Sequence, residues 1–314
     1  MGGTKILAAA INTKEGIIAR VKEPTPSGAK PIDLIKTLTA IVEETIAEAN
    51  LKKENIKAVC LGIPGWLNPY TGKVSAAPNL GLKNFSLKTR LEKNLGLAVL
   101  IENDVNLGAL GIKGFGEGAN SKNILVVFVG TGIGGALFFD GKIYRGFNYT
   151  AGEIGHIVID KNGPQCGCGN KGCFEALASR TAIVRNIQSD IKNKRKTIIT
   201  KISGKNKPIK SKALAAAIKA KDKIVVKRVS EACETIGVTL AGLTNLLNVE
   251  EIILGGGLIE AIGNFMTPKI RSSFEENILK QNSKPPKIVQ SKLGDDSALY
   301  GGIVLAEEFL GVKV

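Results

Sequence analysis

The chain is short of several things that would have narrowed its role at once. No run approaches the roughly 18 consecutive apolar residues that cross a bilayer. The N-terminus lacks the basic-then-apolar order of a secretory signal, so a cytoplasmic protein is expected. Arginine is scarce: the net charge is +15, from 43 Lys and Arg against 28 Asp and Glu, yet only eight of the basic residues are arginines. Recognition of bases and phosphate backbones leans on the bidentate arginine fork, so scattered lysines read as a solvated surface, and no nucleic-acid partner is expected. The densest basic stretch, Lys192 to Lys212, has nine basic residues and no acid, and reads as an exposed helix and loop. Cysteine occurs five times, an odd number, with three copies inside eight positions. That pattern excludes a secreted disulfide scaffold and suits a metal. Cys60 and Cys233, in apolar surroundings, read as small buried residues. Histidine occurs once, at position 156.

What is present fits an α/β protein: 314 residues, enough for two ordinary domains, 44% of them hydrophobic, with 37 glycines. Lys5 to Ile11 and Gly16 to Val21, joined by the polar Asn12 to Glu15, read as a β-hairpin. The spacing of Ile32, Ile35, Leu38, Ile41, Val42, Thr45 and Ile46 predicts an amphipathic helix over Pro31 to Ala49. Strands follow at Ala58 to Gly62 and Leu97 to Ile101, the second leading through Glu102-Asn103-Asp104 into a helix. A second unit opens with the strand Ile124 to Val129, a glycine turn, and Ala136 to Tyr144 broken by the hairpin signal Asp140-Gly141. Helices are predicted from about Ala176 to Lys194 and Ser211 to Asn248, then a strand Glu251 to Leu254, three glycines and more helix. Two units that each begin with a hairpin and a glycine turn suggest an internal duplication with a ligand cleft between them. The expected boundaries are 1–107 plus 298–314 for the smaller unit and 108–297 for the larger, the final helix crossing back to the first.

His156 is followed by nine residues and Cys166, one residue and Cys168, four residues and Cys173. Three thiolates and an imidazole complete a tetrahedral zinc shell with no open position, the pattern of a structural metal. Gly163, Gly167, Gly169 and Gly172 would let the short loop turn. Glu153 and Glu175 bracket it, either as surface carboxylates or as acceptors for a polyol, with the second ring nitrogen of a metal-bound His156 available as a donor.

Glycine turns stand at Gly2-Gly3-Thr4, Gly130-Thr131-Gly132-Ile133-Gly134-Gly135 and Gly255-Gly256-Gly257. Backbone N–H groups in such turns can cradle phosphate oxygens, and a threonine hydroxyl adds a donor; the alternative is a merely structural turn. Gly130, Gly132 and Gly135 also satisfy the dinucleotide fingerprint, but a strand follows where a Rossmann unit needs a helix. Asn103 and Asp104 close an apolar strand, where open α/β sheets place ligands. Asp104 could accept a proton from an attacking hydroxyl, or simply cap the following helix.

These residues together resemble the ROK family of sugar kinases and sugar-responsive repressors. The likeness rests on Ala151-Gly-Glu-Ile-Gly-His156, Cys166-Gly-Cys-Gly-Asn-Lys-Gly-Cys-Phe-Glu175, Gly62-Ile-Pro-Gly65, Ala77-Pro-Asn79, Glu102-Asn-Asp104, the three glycine turns and Leu293-Gly-Asp-Asp-Ser-Ala298. It implies two actin-like, ribonuclease-H-like α/β domains and ATP-dependent phosphorylation of a hexose, glucose to glucose 6-phosphate before N-acetylhexosamine or fructose, with a non-enzymatic repressor as the alternative. Carried over by position, Asp104 would be the general base; Gly65, Asn79, Asn103, Glu153, His156 and Glu175 would contact the sugar. Gly3, Thr4, Lys5, Thr131 and Gly132 would approach the ATP phosphates and Gly256 and Gly257 the adenosine. The cofactors implied are structural zinc and Mg2+ travelling with ATP, and the assembly implied is a homodimer or homotetramer. The family pattern also has a strand ending in Asp-x-Gly-Gly-Thr where this chain starts Met1-Gly2-Gly3-Thr4. A start site assigned too late is the expected reason, and no helix-turn-helix precedes Gly2, which favours the kinase.

Overall fold

The computed structural model describes residues 1–2, 5–26, 30–204, 207–280 and 284–311. The chain divides into two compact units, one comprising 1–119, 143–151 and 295–314, the other 120–142 and 152–294. The division departs from the expected boundary at residue 107, which would have cut a helix in two. The helix concerned, α3 below, is buried along most of its length and stays whole within the first unit.

The first unit contains β1 (Lys5–Asn12), β2 (Gly16–Pro24), α1 (Pro31–Glu48), β3 (Val59–Ile63), β4 (Trp66–Asn68), β5 (Lys73–Ala77), β6 (Leu82–Ser86), α2 (Leu87–Leu95), β7 (Val99–Asn103) and α3 (Asp104–Phe115). Its strands form three small sheets: the antiparallel pair β1-β2, the parallel pair β3-β7 and the antiparallel meander β4-β5-β6. One core joins them, with Ile6 and Val21 from the first pair, Leu34, Ile35, Leu38 and Ile41 from α1, and Ile63, Val99 and Ile101 from the parallel pair. The helical face of α1 is turned slightly from the one predicted: Leu34 is buried and Ile32 is 49% exposed.

The second unit contains β8 (Ile124–Val129), β9 (Ile133–Phe139), the first residue of β10 (Lys142–Tyr144), whose other two belong to the first unit, α4 (Phe174–Ala178), α5 (Arg180–Lys192), α6 (Ile199–Ser203), α7 (Ser211–Lys219), α8 (Lys223–Leu247), β11 (Glu251–Gly255), α9 (Gly257–Asn277) and β12 (Lys287–Gln290). The strands form one sheet in the order β10-β9-β8-β11-β12, antiparallel between β8 and β9 and parallel from β8 through β11 to β12. β8 throughout and β11 from Ile252 to Leu254 are apolar because both faces are covered, the usual signature of the centre of a parallel sheet. Each of the two long helices predicted after residue 176 is broken by a cap. Ser179 accepts from the Ala182 N–H to start α5, and the Asp222 carboxylate accepts from the Ile224 and Val225 N–H groups to start α8. The lysines and arginine predicted to be exposed between residues 192 and 212 are exposed wherever they are described. α10 (Ser297–Leu310) belongs to the first unit and lies along α3. The approach is close enough that a Cβ on Gly111 would fall 1.9 Å from the Ser297 carbonyl oxygen, and one on Gly301 1.8 Å from that of Leu107. Among the described residues no helix is long and apolar enough to cross a membrane.

Candidate active site

In the first unit the chemistry collects where β7 ends. Asn103 is the cap of α3: its Oδ1 accepts from the N–H groups of Val105 at 2.9 Å and Asn106 at 3.1 Å, while its Nδ2 donates to the Gly65 carbonyl at 3.2 Å. Helix capping therefore falls to Asn103 and not to Asp104, which is the first helical residue and accepts from the Val105 N–H at 3.1 Å. A carboxylate in the first turn of a helix is favoured by the helix dipole. One hydrogen of the Asn103 amide remains after the Gly65 bond, enough to donate to a ligand hydroxyl.

Beneath this corner lies a network that the sequence reading did not single out. Glu102 is 2% exposed. Its Oε1 accepts from the Asn103 N–H at 2.8 Å and from Asn106 Nδ2 at 3.2 Å, and its Oε2 accepts from Arg145 Nε at 2.7 Å. The Arg145 guanidinium also forks onto Glu308 at 2.7 and 2.9 Å. Burial works against the arginine charge, but the hydrogen bonds and charges of Glu308 and Glu102 more than offset it, and its pKa lies above the ordinary value. The available signal was a glutamate at the end of an otherwise apolar strand, which needs a cation partner when buried.

The remaining predicted residues of this unit fall as follows. Asn79 is exposed in the short turn Pro78–Leu80. Lys5 forms an ion pair with Asp295. Gly3 and Thr4 lie outside the described residues. The Met1 ammonium donates to the Gly62 carbonyl at 2.9 Å; burial lowers its pKa, and the Asp104 carboxylate acts in the opposite direction.

In the second unit, the ligand atoms of His156, Cys166, Cys168 and Cys173 all lie within 4.8 Å of one another. His156 Nδ1 is 3.7 Å from the Cys166 sulfur, and the sulfurs of Cys168 and Cys173 are 3.6 Å apart. A tetrahedral shell with zinc–sulfur bonds of about 2.3 Å places neighbouring ligand atoms about 3.7 Å apart, so the cluster has the size zinc requires. The loop is closed by bridges between Val158 and Cys173 and between Gln165 and Lys171. At Gly172, with φ of +68°, a Cβ would sit 1.5 Å from the Asp160 carbonyl oxygen, so the turn admits only glycine. With Nδ1 toward the sulfurs, His156 Nε2 points the other way and lies 3.9 Å from Glu153 Oε2. Cys60 and Cys233 stand apart from this cluster; burial pushes both thiols up to about 12, in keeping with inert packing residues.

Glu175 ties the cysteine loop to the second glycine turn. Its Oε2 accepts from the Ile133 N–H at 2.9 Å, and its Oε1 lies 3.9 Å from the Cys166 sulfur. Thr131, in the same turn, is exposed. The third turn is a strand-to-helix connection as predicted, with Gly256 capping α9 at φ of +90° and nothing within 4 Å of a Cβ built on Gly257. A ligand ring could approach the backbone there.

This arrangement, a carboxylate on a strand-to-helix corner in one α/β unit and a phosphate-type turn beside a Cys3His loop in the other, is that of a sugar-kinase-like protein. The chain matches the ROK family over residues 1–309 and belongs to it. It is 31% identical over 303 residues to a glucokinase of Halalkalibacterium halodurans, covering 96% of this chain and 92% of that protein. A xylose repressor of Caldicellulosiruptor bescii is 29% identical over 272 residues, 87% of this chain and 68% of the repressor. A solved structure of a ROK family glucokinase from Streptomyces griseus in complex with glucose and AMPPNP matches with a TM-score of 0.85 at 28% identity, over 98% of this chain and 97% of that one. The fold is accordingly the two-domain, actin-like α/β fold.

Proposed function

We propose that the protein transfers the γ-phosphoryl group of ATP to a hexose hydroxyl, with glucose as the substrate and glucose 6-phosphate as the product. It is an ATP-dependent sugar kinase of the ROK family. The observation that carries the reading is Glu175, whose carboxylate reaches both the glycine turn, through the Ile133 N–H, and the Cys166 end of the cysteine loop. A sugar acceptor and a phosphate cradle are thereby built as one piece. Asp104 accepts the proton of the attacking hydroxyl as its oxygen bonds to the γ-phosphorus and ADP departs. By the family resemblance, Gly65, Asn79, Asn103, Glu153, His156 and Glu175 are the residues that contact the sugar. His156, Cys166, Cys168 and Cys173 would hold zinc, which would brace the loop, and Mg2+ arriving with ATP would neutralise phosphate charge. Thr131 and Gly132 take phosphate oxygens, and Gly256 and Gly257 lie against the adenosine.

A coupled ADP-release assay across glucose, N-acetylglucosamine, N-acetylmannosamine and fructose tests the substrate. Asp104→Asn tests the mechanism: turnover should fall at least about a thousandfold, the scale of a lost general base combined with lost positioning, while glucose binding by calorimetry persists. Substantial residual turnover would remove Asp104 from the base role. Glucose binding with no turnover in the wild type would instead favour a sensor of the repressor kind.

A further inference from the structure

Of the arginines, those at 20, 145, 195 and 228 are paired with carboxylates. Among the described residues Arg180 is not: the side chain of this first residue of α5 makes two hydrogen bonds to them, both to hydroxyls, Nη2 to Thr131 Oγ1 at 2.6 Å and Nη1 to Ser211 Oγ at 3.3 Å. Its backbone N–H donates to the Gly130 carbonyl at 3.0 Å, and the neighbouring Thr181 hydroxyl donates to the Thr131 carbonyl at 2.7 Å. The start of α5 is thus bolted to the glycine turn, and among the described residues Arg180 is the only basic side chain hydrogen-bonded to that turn.

The turn needs a cation. One of its N–H groups, that of Ile133, is spent on the Glu175 carboxylate, and the Gly130 N–H is spent on the Gly132 carbonyl at 2.9 Å. A triphosphate entering the turn would meet fewer free amides than the glycine pattern promises, and a negative carboxylate as well. The first-turn amides of α5 cannot make up the difference, because Ser179 takes the Ala182 N–H and the turn's carbonyls take those of Arg180 and Thr181. The guanidinium can. It has five donors in a planar fork, at present placed on neutral hydroxyls that are weaker acceptors than phosphate oxygens. By donating to Thr131 Oγ1 it also occupies a lone pair there, which leaves the hydroxyl hydrogen to point outward at a ligand.

We propose that Arg180 is a nucleotide-binding residue that contacts the β- and γ-phosphates of ATP and offsets the Glu175 carboxylate at the glycine turn. The proposal rests on the reading of Gly130–Gly135 as the phosphate turn. It is tested by titrating the wild type, Arg180→Gln and Arg180→Lys with ATP and with AMP, alongside Michaelis constants for ATP and glucose. Arg180→Gln should weaken ATP binding and raise its KM by about tenfold or more, the scale of one or two charge-assisted hydrogen bonds, with AMP affinity and the glucose KM within about twofold of wild type. Arg180→Lys, which keeps the charge and loses the fork, should fall between. Unchanged ATP affinity in Arg180→Gln would overturn the proposal while leaving the kinase reading intact. Parallel losses of ATP and AMP would overturn it too, by assigning Arg180 to the shape of the turn. A wild type that binds no ATP at all would overturn both.

Discussion

In the second unit the glycine turn between β8 and β9 hangs from a five-stranded sheet, and the residues behind it, Val127, Val129, Ile133 and Leu254, are 0 to 5% exposed. In the first unit the Asn103-Asp104 corner ends a strand of a two-stranded sheet, and the groups directly beneath it are Glu102, Arg145 and Glu308. The glycine turn is held by apolar burial, which is tolerant of small rearrangements. The corner rests on the buried pair Glu102 and Arg145, with Glu308 at the surface, and a buried pair is tolerant only while both partners are present, since a lone charge in a low-dielectric setting is costly. Ion pairs in the two units should therefore carry very different weight.

The strongest way to break that contrast is Arg145→Met. The side chain volume is roughly kept, but Glu102 loses its cation while still buried, and breaking such a pair by removing one partner costs about 3–5 kcal/mol. The variant should unfold at clearly lower urea concentration, and the glucose kcat should fall because the Asn103 N–H and Asn106 amide rest on the same carboxylate. Combining it with Glu102→Gln should recover part of the stability, because the orphan charge is gone. A single variant that costs under about 1 kcal/mol would mean that the close approach of α3 and α10 holds the corner without the charges.

The cysteine loop is the second unit's own exception to apolar support: only Cys166, Cys173 and Ala176 form the small cluster beneath it. Zinc held by His156, Cys166, Cys168 and Cys173 would take the place of a core there. Cys168→Ser, or removal of the metal with a chelator, should raise the glucose KM by about tenfold, or 1.4 kcal/mol, with zinc content followed by mass spectrometry of the intact protein. Because Glu175 also accepts from the Ile133 N–H in the glycine turn, the ATP KM should rise as well, by a smaller factor. Zinc-free protein with both constants unchanged would show that the loop is shaped by its hydrogen bonds alone.

How much of this could be read in advance depended on whether the determining contacts were local. The Cys3His spacing, the hairpin at Asp140-Gly141 and the α10 helix are set by residues close in the chain, and they were readable. The meander β4-β5-β6 was missed because its strands are three to five residues long and carry polar residues such as Asn68, Lys83 and Asn84. The breaks at Ser179 and Asp222 were missed because helical periodicity runs straight across them, and only the cap hydrogen bonds reveal a new start. The sequence flags Glu102 as a glutamate closing an apolar strand, but its partners could not be read, since the members of the Glu102–Arg145–Glu308 network stand 43 and 163 residues apart. The role given to Asp104 alone was likewise incomplete, because Asn103 takes the cap and leaves the aspartate as the first helical residue.

The smallest effect belongs to the second unit's counterpart of the Arg145 network. Asp190 on α5 accepts from Arg228 on α8 at 2.6 and 2.8 Å, with Arg195 a further 3.1 Å away. The hydrogen bonds from Arg228 hold its carboxyl below the usual aspartate range. The unfolded chain, with an ordinary value of about 3.9, then binds the proton more readily than the folded one. The stabilisation is fully present above that value and is lost as pH falls through the lower folded value. The stability gap between wild type and Asp190→Asn, measured by urea unfolding from pH 5 down to pH 2, should therefore narrow on acidification. The gap should stay smaller than that of Arg145→Met at every pH, because Arg228 is 21% exposed and the helices it joins already meet through Ile183, Ile187, Val225 and Val229, all nearly or fully buried. A gap that is constant across this range would assign Asp190 to packing alone. A gap as large as that of Arg145→Met would remove the distinction between a unit held by its apolar core and one held by its charges.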